Sequence, residues 1–167
     1  MNADELRQLQ TPLKDRYRTD PASAVVTLHA DGELTGSAVS CTVQTFAGHV
    51  EAGLHPATGG DGSLACSGDM LLEALVACAG VTLRAVATSM GIAIRGGTAH
   101  ADGDLDFRGT LGVDKAAPVG FETISLRFEL DTDADAKQLD TLQRLTERYC
   151  VVAQSLRTSP TIEITTR

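Results

Sequence analysis

The sequence has no tryptophan, and only 4% of its 167 residues are aromatic. A chain so poor in flat rings offers no stacking platform for the bases of single-stranded nucleic acid. Positive charge is in deficit too: 14 Lys and Arg stand against 22 Asp and Glu, a formal net charge of -8. The isoelectric point is near 4.8. Proteins that track phosphates or lie on anionic lipid carry a basic face, so neither nucleic acid nor a membrane is expected as a partner. The glycine-rich stretch HPATGGDGSLACSGD (residues 55–69) lacks the Gly-Lys-Ser/Thr of a P-loop, which leaves a flexible connection as its reading. The four cysteines, Cys41, Cys66, Cys78 and Cys150, form no CxxC and no Cys/His cluster with zinc spacing. No metal or other cofactor is therefore expected. The opening MNADELRQLQTPLKDRYR has early acids and no apolar run of leader length, which predicts a cytoplasmic protein without standing disulfides.

What is present is enough apolar residue, 43% of the chain, for one domain with a sizeable core. Residues 1–20 place Leu6, Leu9, Leu13 and Tyr17 at helical spacing around Thr11-Pro12, which predicts a short helical arm ahead of a single domain over residues 21–167. The segments VVTLHA, SAVSCTVQTF and HVEAGL, punctuated by Asp31-Gly32 and Ala47-Gly48, predict an antiparallel meander of three strands. LLEALVACAGVTLRAVATSMGI (residues 71–92) predicts a long helix, with Ser67 or Asp69 at its start and Gly91 as a left-handed cap. Glu73 and Arg84 interrupt it, so it reads as a buried helix rather than a membrane span.

Beyond it, a strand with a turn near Asp102-Gly103 is expected, then FETISLRFEL as a half-buried strand that turns Ile124, Leu126, Phe128 and Leu130 inward. A second helix follows a cap at Asp133, with Leu139, Leu142, Leu145 and Tyr149 as its apolar stripe, and TIEITT closes the chain as a strand. The fold class is α+β with mostly antiparallel sheet around a long central helix. A helix apolar on nearly every side needs cover on every side, and one sheet covers one face. An intertwined homodimer is the expected solution.

Cys78 lies mid-helix among apolar residues, a setting that raises a thiol pKa, and by itself reads as a packed small residue. Cys150, 72 positions later in ERYCVVAQSL, reads the same way alone. Together, however, GGDG (residues 59–62), the helix GDMLLEALVACAGVTLRAVATSMGI, and ERYCVVAQSL followed by Pro160 and a terminal strand resemble the family of osmotically inducible protein C and organic hydroperoxide resistance proteins. The resemblance follows the element order over roughly residues 24–167.

It implies a swapped homodimer with two sheets wrapped around central helices, and a thiol peroxidase site in which Cys78 attacks a hydroperoxide and Cys150 resolves it. A dithiol or lipoyl-type reductant would restore the thiols. It further implies an acid near the helix start, for which Asp69 is the nearest match, and an arginine that holds the thiolate, with Arg18 and Arg84 as candidates beside Arg16. Val151 stands where the family has proline, which is expected to alter how the chain breaks after Cys150. Cys66, close to the helix start, is a spacer or a substitute resolving thiol, and Cys41 a core residue. The other reading keeps the fold without the chemistry: a pocket for a small hydrophobic ligand, with both thiols as packing.

Overall fold

A computed structural model describes residues 1–166. The chain falls into two compact units. The first comprises Met1–Thr27, Leu75–Asp102 and the residues from Ile124 onward; the second comprises Leu28–Ala74 and Gly103–Thr123.

The first unit opens with α1 (Ala3–Thr19), held by a capping box in which the Asn2 side chain accepts from the Glu5 N–H while Glu5 accepts from the Asn2 N–H. The helix runs unbroken through Pro12. Ion pairs Arg7–Asp4 and Arg18–Asp15 lie along its exposed side. Residues 25–30, expected as the first strand, are extended coil. The physical reason is the want of a neighbour: a strand needs a ladder to satisfy its backbone, and Val25, Val26 and Leu28 stand exposed instead.

In the second unit β1 (Gly32–Glu33), β2 (Ser40–Thr45), β3 (Gly48–Gly53) and β4 (Ala65–Cys66) form a sheet in that order. The β2–β3 hairpin pairs Thr45 with Gly48, close to the predicted turn. β4 runs parallel to β3. Not one described residue of this unit is buried. Its sheet is laid out without an interior of its own.

Next comes α2 (Ser67–Ser89). By length and composition it could cross a membrane, but every fourth residue, Leu75, Ala79, Leu83 and Ala87, packs into the core of the first unit. Gly91, at φ 70°, ends it as expected: the Ile92 N–H reaches back to the Ala87 carbonyl at 2.9 Å. Outside that one stripe the helix is half-buried or exposed, with Val81 at 72%.

β5 (Ile94–Asp104) runs straight through Asp102-Gly103, where a turn was expected. Gly103 is there for closeness rather than bending, since a Cβ at that position would stand 2.6 Å from the Phe121 ring. The chain reverses later, through the short helix α3 (Phe107–Thr110). β6 (Thr123–Thr132) turns Ile124, Leu126, Phe128 and Leu130 inward as predicted. α4 (Ala136–Tyr149) is capped by Asp135 in a box with Gln138, two residues past the expected cap at Asp133. Asp133 is instead engaged by Arg95. The short helix α5 (Val151–Ser155) follows at once, with Cys150 as the joint between the two. β7 (Thr161–Thr166) lies parallel to β6 and completes a sheet of order β5-β6-β7. The fold class is thus α+β, rich in antiparallel pairs.

Candidate functional site

The core stripe of α4 is not quite the one its leucines outline. Tyr149 is exposed, and the fully buried positions are Leu142, Thr146 and Cys150, spaced by four. That spacing carries Cys150 into the interior of the first unit at the last position before the helix breaks. The break matters. Cys150 leaves helical geometry at φ -72°, ψ 108°, ending α4 while its own N–H still bonds the Thr146 carbonyl at 3.0 Å. It then serves as the cap of α5, its sulfur accepting from the Ala153 N–H at 3.5 Å.

Cys78, half-buried on α2, meets this joint. Burial pushes its thiol up, as the apolar sequence around it predicts. The influence of the Val152 N–H, the Cys150 thiol, the Val151 N–H and the Thr82 hydroxyl more than offsets that and holds it below the ordinary thiol value. For Cys150 the balance falls the other way. Burial dominates; the Ala153 N–H opposes it, but the neighbouring Cys78 sulfur adds to it, and the thiol is pushed above its ordinary value. Two neighbouring thiols, both reduced, are thereby made unlike: the Cys78 thiol is shifted toward ionisation and the Cys150 thiol away from it.

Of the other expected site residues, Asp69 is exposed in the first turn of α2 and belongs to the second unit. Arg18 is tied to Asp15 at 2.5 Å on α1. Arg16 stacks on Tyr17. Arg84 lines an open apolar groove of about 350 Å³ with Val76, Val81, Leu83, Phe128 and Leu130. Within the single chain no arginine figures among the leading influences on the Cys78 sulfur, and the amides of Val152 and Val151 do. Cys66 lies in β4, opposite Gly53, and Cys41 in β2, half-buried rather than in the core. Among the described residues no His, Cys, Asp and Glu gather into a metal-binding group.

Sequence reasoning assigned no role to Thr82 or to the amides of Val151 and Val152. One signal was visible. A residue other than proline after Cys150 carries an N–H, and that N–H is one of the donors to Cys78. Thr146 is a different case. Its hydroxyl is fully buried and has no hydrogen-bond partner, a state that costs roughly 1–3 kcal/mol.

The comparisons with known proteins agree with this layout. The family described as OsmC-like protein matches residues 60–165. The chain belongs to the OsmC-like protein family. No curated protein matches the sequence significantly. Among solved structures, the chain resembles an OsmC-like protein from Vibrio cholerae with a TM-score of 0.69 at 15% identity, over 84% of this chain and 99% of that one. An organic hydroperoxide resistance protein from Elizabethkingia anophelis gives 0.66 at 15% identity, over 86% and 99%. The organic hydroperoxide resistance protein of Bacillus subtilis gives 0.57 at 17%, over 86% and 100%. At such identities these likenesses show the OsmC-like fold.

Proposed function

We propose that this OsmC-like protein is a cysteine-based thiol peroxidase acting on organic hydroperoxides or hydrogen peroxide in oxidative-stress defence. What supports the reading is the unlike pair of neighbouring thiols, Cys78 shifted below the ordinary thiol value and Cys150 above it. The Cys78 thiolate attacks the terminal oxygen of the hydroperoxide, the O–O bond breaks, and the alkoxide leaves as alcohol after taking a proton. The sulfur becomes a sulfenic acid. Cys150 then attacks that sulfur, the S–O bond breaks, and water departs with the Cys150 proton. An external dithiol or lipoyl-type reductant returns the disulfide to two thiols. Organic hydroperoxide resistance proteins among the solved structures of this fold support the class of substrate.

The assembly belongs to the same reading. An unburied four-stranded sheet, exposed apolar residues at 25–30 and an α2 covered along one stripe favour a homodimer in which a second copy supplies the missing cover. The cytoplasm, where thiols stay reduced, is the compartment in which such a pair can turn over. The decisive experiment is a peptide map after one equivalent of cumene hydroperoxide. A disulfide joining Cys78 to Cys150, with both thiols consumed, is expected; slow oxidation spread over all four cysteines defeats the proposal. In that event the apolar groove lined by Val81, Leu83, Phe128 and Leu130 favours the second reading, binding of a small hydrophobic ligand.

A further inference from the structure

Three threonines in the helices of this chain spend their hydroxyls on the carbonyl four residues earlier: Thr11 on Arg7, Thr19 on Asp15, and Thr141, on α4 itself, on Lys137 at 2.9 Å. Thr146 does not. Its hydroxyl is the buried side-chain polar group that lacks a partner among the described residues. It lies one turn before Cys150 on the same face of α4, and both residues are completely buried. Side chains four apart on a helix stand about 5–6 Å from each other at Cβ. A threonine hydroxyl in a helix has two accessible rotamers, so the group can swing toward its neighbour without any change in the backbone.

We propose that the Thr146 hydroxyl is a reserve hydrogen-bond donor for the Cys150 sulfur, idle while Cys150 is a thiol and engaged when that sulfur carries negative charge during thiol–disulfide exchange. The inference rests on the peroxidase reading for its biological setting, but the exchange chemistry can be read alone. In the oxidised protein an external dithiol must attack the half-buried Cys78 sulfur, because Cys150 is fully buried. The S–S bond breaks and its electron pair goes to Cys150 as a thiolate, while Cys78 joins the reductant in a mixed disulfide. The second thiol of the reductant then displaces Cys78, and Cys150 takes up a proton. A buried leaving thiolate is poorly stabilised unless donors reach it. The Ala153 N–H is one, and Thr146 is positioned to be the other.

Thr146→Val keeps the shape and removes the hydroxyl. Because that hydroxyl is unpartnered in the reduced protein, the thermal midpoint of reduced T146V is expected to be unchanged or higher. Reduction of the diamide-formed Cys78–Cys150 disulfide by dithiothreitol is expected to slow by at least about tenfold, the rate equivalent of a hydrogen bond to a charged group. Thr146→Ser should restore most of the rate. Wild-type exchange rates in T146V overturn the role of Thr146 and leave the peroxidase reading standing. Hydroperoxide consumption is measured on the same proteins, and a wild type that consumes none overturns that reading while the exchange rates still decide for or against Thr146.

Discussion

The surroundings of Cys78 and Cys150 displace their acidities in opposite directions, and each thiol is among the influences on the other. The Cys150 thiol favours ionisation of Cys78, and Cys78 disfavours ionisation of Cys150. On the proposed function Cys78 is therefore expected to react first, and once oxidised to stop opposing ionisation of Cys150.

Substitution of either cysteine therefore has a distinct outcome. Cys78→Ser is expected to lose hydroperoxide consumption by more than about 10³-fold, since a serine hydroxyl at neutral pH is not a nucleophile of this kind. Cys150→Ser is expected to consume one thiol per peroxide instead of two and to leave a sulfenic acid on Cys78 that dimedone traps. Mass spectrometry of the dimedone-treated proteins checks both, and dimedone on any other cysteine contradicts the assignment.

Val151→Pro removes one of the amides that donate to Cys78. Proline is well accepted at the first position of a helix, so the variant is expected to fold. With one donor fewer the charged form is less favoured and the thiol ionises at higher pH. The pH profile of iodoacetamide alkylation at Cys78 is expected to move upward, with slower alkylation at neutral pH. A superimposable profile would show that this amide does not act on the sulfur.

Val81 tests the proposed assembly. It is apolar, central on α2 and 72% exposed in the single chain. If a second copy covers it, Val81→Asp buries a charge with no partner. Sizing chromatography should show the wild type at twice 17.5 kDa and the variant shifted toward a single chain. A wild type that elutes as a monomer rules out the homodimer.

Arg95 joins β5 to the end of β6 through Asp131 at 2.6 Å and Asp133 at 2.5 Å. Its hydrogen bond and charge hold the Asp133 carboxyl below the ordinary carboxylate value. A depressed carboxylate contributes stability above its unfolded pKa, and that contribution is lost as pH falls through the folded value. Arg95→Gln should thus lower the thermal midpoint at neutral pH, by less at about 1 M salt where exposed pairs are screened. As pH falls below the ordinary carboxylate pKa of about 3.9, the difference between the two proteins should shrink progressively. A difference that persists in acid would assign the loss to something other than the ion pair.

Much of the fold was legible in the sequence because strong periodicity survives tertiary context. The alternation of Ile124, Leu126, Phe128 and Leu130 and the glycine stop at Gly91 appear where the residues put them. The misreadings share a cause: the residue type was right, and its use depended on a distant neighbour. Gly103 read as a turn because its real reason, the Phe121 ring, is far away in sequence. Residues 25–30 carry strand chemistry and find nothing in this chain to pair with. At the site, side chains are written in the sequence but backbone amides are not, so the main chain of Val151 and Val152 was not legible there. Thr146 was hidden among leucines, because no pattern of residue types tells which buried hydroxyl will go unpaired.

The donors to Cys78 that come from the main chain have a consequence of their own. A guanidinium beside the sulfur would tie its reactivity to ionic strength and to the identity of a single codon. Amides fixed by the start of α5 do neither: counter-ions do not neutralise them, and any residue except proline supplies them. If Cys78 is the nucleophile proposed, its reactivity is expected to change little with salinity, and the positions whose amides act on it are free to drift in side chain while their backbone stays the same.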